Sequence, residues 1–202
     1  MFNLIQKDIL LLKYIFLILL PILIGYLLLD NSSILMGFLA SIILIQAAFA
    51  IDEKPSINIL LNSLPYTRKE IVSSKYIGSV IYIFIIFFAI LIMNLVMHGI
   101  ITPWEELFIT FLLVIGFTSF MLPFLYRFKS QYLLIASLGI FVTYLVVIGL
   151  FIHNLNDRIR ELVHTLLTIQ DYQIYLLLVS LGMILYVGSW FLSVRIYRNK
   201  VF

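Results

Sequence analysis

The chain has no cysteine at all. Disulfides, thiol chemistry and cysteine-ligated metals are excluded at once, and with them the usual clue to the redox state of the compartment. Charge is almost as scarce: 11% of residues are Asp, Glu, Lys or Arg, against 63% apolar, far from the roughly quarter-charged make-up of a soluble domain. With a mean hydropathy of +1.15, most of the chain needs lipid as its solvent. No GxxxxGK[ST] phosphate-binding loop occurs, so ATP hydrolysis of that kind would belong to another polypeptide. The N-terminus also lacks a small-residue cleavage site after its first apolar run, and the first hydrophobic segment is read as retained.

What is present is a series of apolar stretches free of ionisable residues, at about 14–29, 34–51, 76–97, 107–126, 132–152 and 173–194. Each is near the ~20 residues that a helix needs to cross the hydrocarbon core. Backbone groups in lipid must be satisfied within a segment, and these runs lack the alternation of a barrel strand, so an all-α bundle of six spans is expected. Residues 1–202 then form a single transmembrane domain. With both termini cytoplasmic, eleven of the thirteen basic residues fall inside and only Arg158 and Arg160 outside, as the positive-inside rule requires. Membrane orientation thus accounts for the pI near 9.1, and nucleic acid is not expected as a partner.

Two segments are expected to lie along the membrane surface. Phe2, Ile5, Ile9 and Leu12 fall at helical spacing around Lys7 and Asp8, giving an N-terminal interfacial helix or a frayed lead-in. Outside, residues 156–169 can form a capped helix with one apolar stripe.

Ionisable groups inside the membrane normally mark proton relays and ion pathways. Their absence from the six spans argues against a proton-driven transporter or an intramembrane hydrolase. No catalytic residue, bound cofactor or metal is expected; His98, His153 and His164 have no ligand spacing. Gln46 and Asn94 are the notable buried polar side chains of the spans, either interhelical hydrogen-bonders or pathway-lining groups. Gly37 with Ser41, Ser74 with Gly78, and Ser189 with Ser193 permit close helix approach.

The most informative stretch is the predicted cytoplasmic loop 52–75, DEKPSINILLNSLPYTRKEIVSSK. Pro55 suits a first helical position and Pro65 a stop, and Ile57, Leu60, Leu61 and Leu64 make one apolar face between them. Thr67 and Glu70 then match a capping box, with Tyr66 and Ile71 placed as a hydrophobic staple, so the third span should begin in the cytoplasm. Periodicity alone leaves two uses open, a plain connector on the inner leaflet or a lever for a docked partner.

The string from Asp52 to Tyr76 resembles the loop of small bacterial permeases of the ABC type-2 exporter family, of the kind that exports phenol-soluble modulins and other peptides. The resemblance implies that this loop is a coupling helix seated on a separate cytoplasmic ABC ATPase, which would bind the ATP and Mg. By position, Asp52, Glu53, Ile57, Asn58, Leu60, Leu61, Ser63, Leu64, Pro65, Arg68 and Ile71 would belong to the docking element. It also implies a second permease copy or a homologous permease, a bacterial cytoplasmic membrane location, and export of a hydrophobic or amphipathic peptide, lipid or drug. The alternative is a different class, a sensor, immunity or assembly subunit that could use the same loop merely to anchor a cytoplasmic protein.

Overall fold

A computed structural model describes residues 2–27, 33–54, 57, 66–99, 101–133, 135–136, 139 and 172–199. The described part is helical throughout, with five long helices: α1 (Phe2–Leu27), α2 (Ser33–Asp52), α3 (Arg68–His98), α4 (Trp104–Arg127) and α5 (Tyr172–Arg198). All five are long and apolar enough to cross a membrane. The expected span 132–152 and the helix 156–169 fall almost wholly outside the described residues.

Residues 1–13 were expected as an interfacial helix or a frayed lead-in to the first span. Instead Phe2–Leu27 is one uninterrupted helix. The reason is visible in its buried stripe: Leu4, Asp8, Leu12, Leu19 and Leu23 face the bundle while Ile9 is exposed. Asp8, treated from sequence as a polar interruption, is part of the packed face. Any polar group buried this way needs a partner, and the partner, described below, holds the first turns of α1 against α2 and α3.

At about 1.5 Å per residue, the 31 residues of α3 reach roughly 46 Å, against ~30 Å of hydrocarbon. The excess accommodates its polar first turns. Its start is fixed by the expected capping box: the Thr67 hydroxyl accepts from the Glu70 backbone N–H, and the Glu70 carboxylate accepts from the Thr67 N–H at 2.8 Å. Tyr66 and Ile71 both pack into the core. α3 stops at Gly99, whose φ of 65° is the left-handed conformation that glycine adopts without penalty, and whose N–H donates to the Leu95 carbonyl. α4 follows Pro103, with Glu105 and Glu106 in its first turn and Arg127 in its last, in keeping with the helix dipole. Its buried Thr118 and Ser119 donate back to the carbonyls of Val114 and Ile115 at 2.7 Å, which leaves them satisfied without a partner helix.

α2 and α3 pack on each other, with α1 closing a triangle on one side; α4 packs on α2 and α5 on α3, and α4 packs most extensively on α5. Gly37 makes part of this possible, because a Cβ there would sit 2.8 Å from Thr110 Cγ2 on α4 and 3.1 Å from Ile90 Cδ1 on α3. α4 and α5 run in the same direction: Tyr175 stacks edge-on against Trp104 at one end, and Tyr126 against Tyr197 at the other. Arg127 and Tyr172 therefore lie at opposite ends of the bundle, and the chain between them connects the two ends.

Candidate functional site

The start of α1, the end of α2 and the start of α3 meet at one end of the bundle around four charged side chains. Lys75 reaches Asp8 at 2.7 Å and Asp52 at 2.6 Å; Lys7 reaches Asp8 at 3.0 Å and Asp52 at 2.8 Å. Two cations and two carboxylates alternate, so the cluster carries no net charge. Asp8 and Lys75 are only 4% and 5% exposed, which separates this cluster from a surface ion pair. Lys75 Nζ also donates to the Ala48 carbonyl at 3.1 Å. An ammonium has three protons to place, and here all three have acceptors, on α1 and on the last two turns of α2. The geometry follows from position: Lys75 stands about two turns beyond the Thr67 cap, on the buried face that also carries Val72, Tyr76 and Ser79. Buried ion pairs seldom add much net stability over apolar packing, but they penalise every arrangement in which one partner is left alone. The cluster therefore fixes the register of three helices.

Next to it the loop between α2 and α3 is tied down at both feet. At its α2 foot, the Glu53 carboxylate accepts from the Ser130 backbone N–H at 2.6 Å and from the Ser130 hydroxyl at 2.7 Å, the pattern by which an acidic side chain caps a helix start. Gln46 Nε2 lies 3.5 Å from the Ser130 carbonyl, a long contact that adds little. At the α3 foot, Arg68 Nη1 donates to the carbonyls of Arg198 at 2.6 Å and Tyr197 at 3.2 Å, satisfying groups that the end of α5 leaves open. Ile57 donates its N–H to the Lys54 carbonyl and its side chain packs on the core. Asn58, Leu60, Leu61, Ser63, Leu64 and Pro65 lie outside the described residues.

Higher up, α3 and α5 are joined by neutral hydroxyls. The Tyr76 hydroxyl lies 2.7 Å from both Ser189 Oγ and Ser193 Oγ, Tyr186 donates to the Tyr76 carbonyl at 2.7 Å, and Trp190 Nε1 donates to Ser73 Oγ at 3.0 Å. The small-residue pair Ser189 and Ser193 thus receives a tyrosine. Towards the opposite end, Asn94 Nδ2 donates to Thr102 Oγ1 at 2.7 Å and to Ser33 Oγ at 3.2 Å, bridging the end of α3 to the starts of α2 and α4. Among the described residues no three His, Asp or Glu side chains gather as a metal site.

Among the described residues, the ion pairs and the two tethers of the α2–α3 loop all lie at one end of an apolar bundle. A family profile described as ABC-2 family transporter protein matches residues 3–198. The chain belongs to the ABC-2 family. It is accordingly a multi-pass membrane permease of an ABC transporter, a component whose family works with an ABC ATPase. No curated protein and no solved structure matches it.

Of the loop residues assigned by resemblance, the permease turns Asp52, Glu53 and Arg68 towards its own helices. Lys7 and Lys75, which hold Asp52, and Ser130, which holds Glu53, were not singled out as site residues from sequence, nor was Asp8. A signal existed: Lys7–Asp8 and Asp52 are the acids and bases nearest to span ends on the same predicted side, and opposite charges at matching depth are candidates to pair. Depth is poorly fixed by hydropathy, so Lys75 read as a loop cation.

Proposed function

We propose that this permease is the membrane-spanning half of an ATP-driven exporter, in which a cytoplasmic ABC ATPase binds ATP and Mg and pushes on the segment between Pro55 and Pro65. The observation that carries this reading is the double anchoring of that segment. Asp52 and Glu53 at one foot and Arg68 at the other reach α1, α3, Ser130 and the end of α5. A displacement there reaches α1, α2, α3 and α5 directly, and the chain just beyond α4 through Ser130. Asn58, Leu60, Leu61, Ser63, Leu64 and Pro65 would face the ATPase, while Asp52, Glu53 and Arg68 pass the movement on.

The charged end is then cytoplasmic, and both chain ends with it. Since Arg127 and Tyr172 lie at opposite ends, the parallel α4 and α5 need a crossing between them, which supports a six-span count. Two such permeases, identical or homologous, would enclose the path in a bacterial cytoplasmic membrane. The apolar spans suit a hydrophobic or amphipathic cargo, with amphipathic peptides of the phenol-soluble-modulin kind, lipids and drugs as the classes to test.

The deciding experiment isolates the tagged permease from its native membrane in mild detergent and identifies the ATPase that accompanies it. Leu60→Asp with Leu61→Asp should release the ATPase and abolish cargo-stimulated hydrolysis. Retention of both by the doubly substituted protein would remove the coupling assignment. An ATPase that stays bound but never responds to cargo would mark a passive anchor instead.

A further inference from the structure

Between α1 and α3 runs an open furrow, with Leu44 of α2 in its lining at the charged end. Its charged-end part is a hollow of 230 Å³ lined by Lys13, Tyr82 and apolar side chains of α1, α2 and α3. It adjoins a larger hollow of 780 Å³ that continues along Phe84, Phe88 and Ile92. Phe16 and Ile85 belong to both. From Ile81 to Met93, the furthest residues of α3 in the larger hollow, the rise of about 1.5 Å per residue gives roughly 18 Å. One leaflet of a ~30 Å hydrocarbon core is about 15 Å deep.

The polar groups sit at one end of this furrow only. Lys7 and Lys75 have carboxylate partners, but Lys13 makes no ion pair among the described residues; its ammonium rests 4.9 Å from the Tyr14 ring centre. Six residues beyond Lys7, it stands about 9 Å further along α1, where a lysine stem lies along apolar surface and its head turns back to the interface. Tyr82, 3% exposed, has a hydroxyl with no hydrogen-bond partner among the described residues. The Tyr82 hydroxyl is sealed inside the bundle, which leaves Lys13, a cation with no ion pair among the described residues, as the polar group at the mouth of a leaflet-deep apolar furrow, the complement of an anionic amphiphile.

We infer that the α1–α3 furrow holds one anionic phospholipid of the leaflet at the charged end, its phosphate at Lys13 and an acyl chain along Phe84, Phe88 and Ile92. This needs only that the chain lies in a bilayer, and is independent of the cargo and of the ATPase. The lipid fills a furrow that the protein's own side chains leave open, and ties α1 to the middle of α3 beyond the reach of the ion cluster.

The test uses the full chain in nanodiscs containing phosphatidylglycerol or phosphatidylcholine, each with a photoactivatable group on its acyl chain, and maps the labelled residues by mass spectrometry. Labelling of residues 84–92 should favour phosphatidylglycerol by about five-fold, the scale expected for one basic residue at an anionic surface. Lys13→Gln should erase the preference and Lys13→Arg keep it, while Ala89→Trp, which fills the larger hollow, should suppress labelling by either lipid. Equal labelling by the two lipids overturns the inference, as does labelling spread evenly over the exposed faces of α1 and α5. Cross-links between two copies through Phe84 or Phe88 would also overturn it and assign the furrow to a second permease.

Discussion

Replacing Lys75 with Met tests whether the charged cluster holds the bundle in register. The substitution keeps the length of the stem but leaves Asp8, 4% exposed, and Asp52 to share Lys7 alone, and the cluster acquires a net negative charge inside the protein. Removing one partner of a buried pair costs about 3–5 kcal/mol. At about 2–4 °C per kcal/mol for a chain of this size, the melting temperature should fall by roughly 6–20 °C. The absence of native cysteine gives a clean assay: one cysteine at Ala40, which is 3% exposed, reports unfolding in detergent through a thiol-reactive dye. Asp8→Asn added to Lys75→Met restores neutrality and leaves the Lys7–Asp52 pair, so it should recover at least half of the loss, through a favourable coupling of ~1.5–3 kcal/mol. A Lys75→Met shift below about 2 °C, or a double variant no better than the single one, would refute the view that unpaired charge rather than lost packing is what the cluster guards against.

Gly37→Ala should destabilise by about 1–3 kcal/mol of overpacking, partly offset by ~1 kcal/mol of helix propensity, because its new methyl meets Thr110 at 2.8 Å. Gly116→Ala, with nothing within 4 Å, should do the opposite, and the same dye assay reads both; matching signs would discount the close approach. Spin labels on cysteines at the exposed positions Ile9 and Ile77 should keep their separation when the ATPase is trapped in its nucleotide-closed state, while labels at Ile77 and Leu192 should change theirs. A reversed pattern would place the moving boundary between α1 and α3.

Much of the bundle was legible because lipid leaves the sequence few choices. The apolar runs located α2, α4 and α5 to within a few residues, and Thr67 with Glu70 gave the start of α3 because a capping box is local chemistry. The first thirteen residues misled because Asp8 and Lys7 read as interfacial when taken alone. Their burial depends on Asp52 and Lys75, tens of residues away, and no local pattern carries that information. Asp52, Glu53 and Arg68 were assigned to the docking element by resemblance, and their bonds to neighbouring helices were not legible because a loop charge looks the same whether it faces a partner or its own bundle. Asn94 and Gln46 were open between bridging and lining a path; the structure gives Asn94 two hydroxyl acceptors at good distance and Gln46 only a long contact.

The two kinds of connection around α3 differ in strength, and the difference locates where movement is easiest. On one side α3 is held to α1 and α2 through Lys75, whose release would strand buried carboxylates at a cost of about 3–5 kcal/mol. On the other it meets α5 through the hydroxyls of Tyr76, Ser79, Tyr186, Ser189 and Ser193, and neutral bonds between membrane helices average only ~0.6 kcal/mol each. Hydroxyls can also exchange partners along a seam, since each both donates and accepts, whereas the ammonium of Lys75 has all three protons committed. A push delivered to the Pro55–Pro65 segment would therefore move α1, α2 and α3 as one body and be absorbed where that body slides against α4 and α5. Glu53 and Arg68 cross this boundary at the charged end and Asn94, through Thr102, crosses it at the other, so the slide is freest along the hydroxyl seam between them.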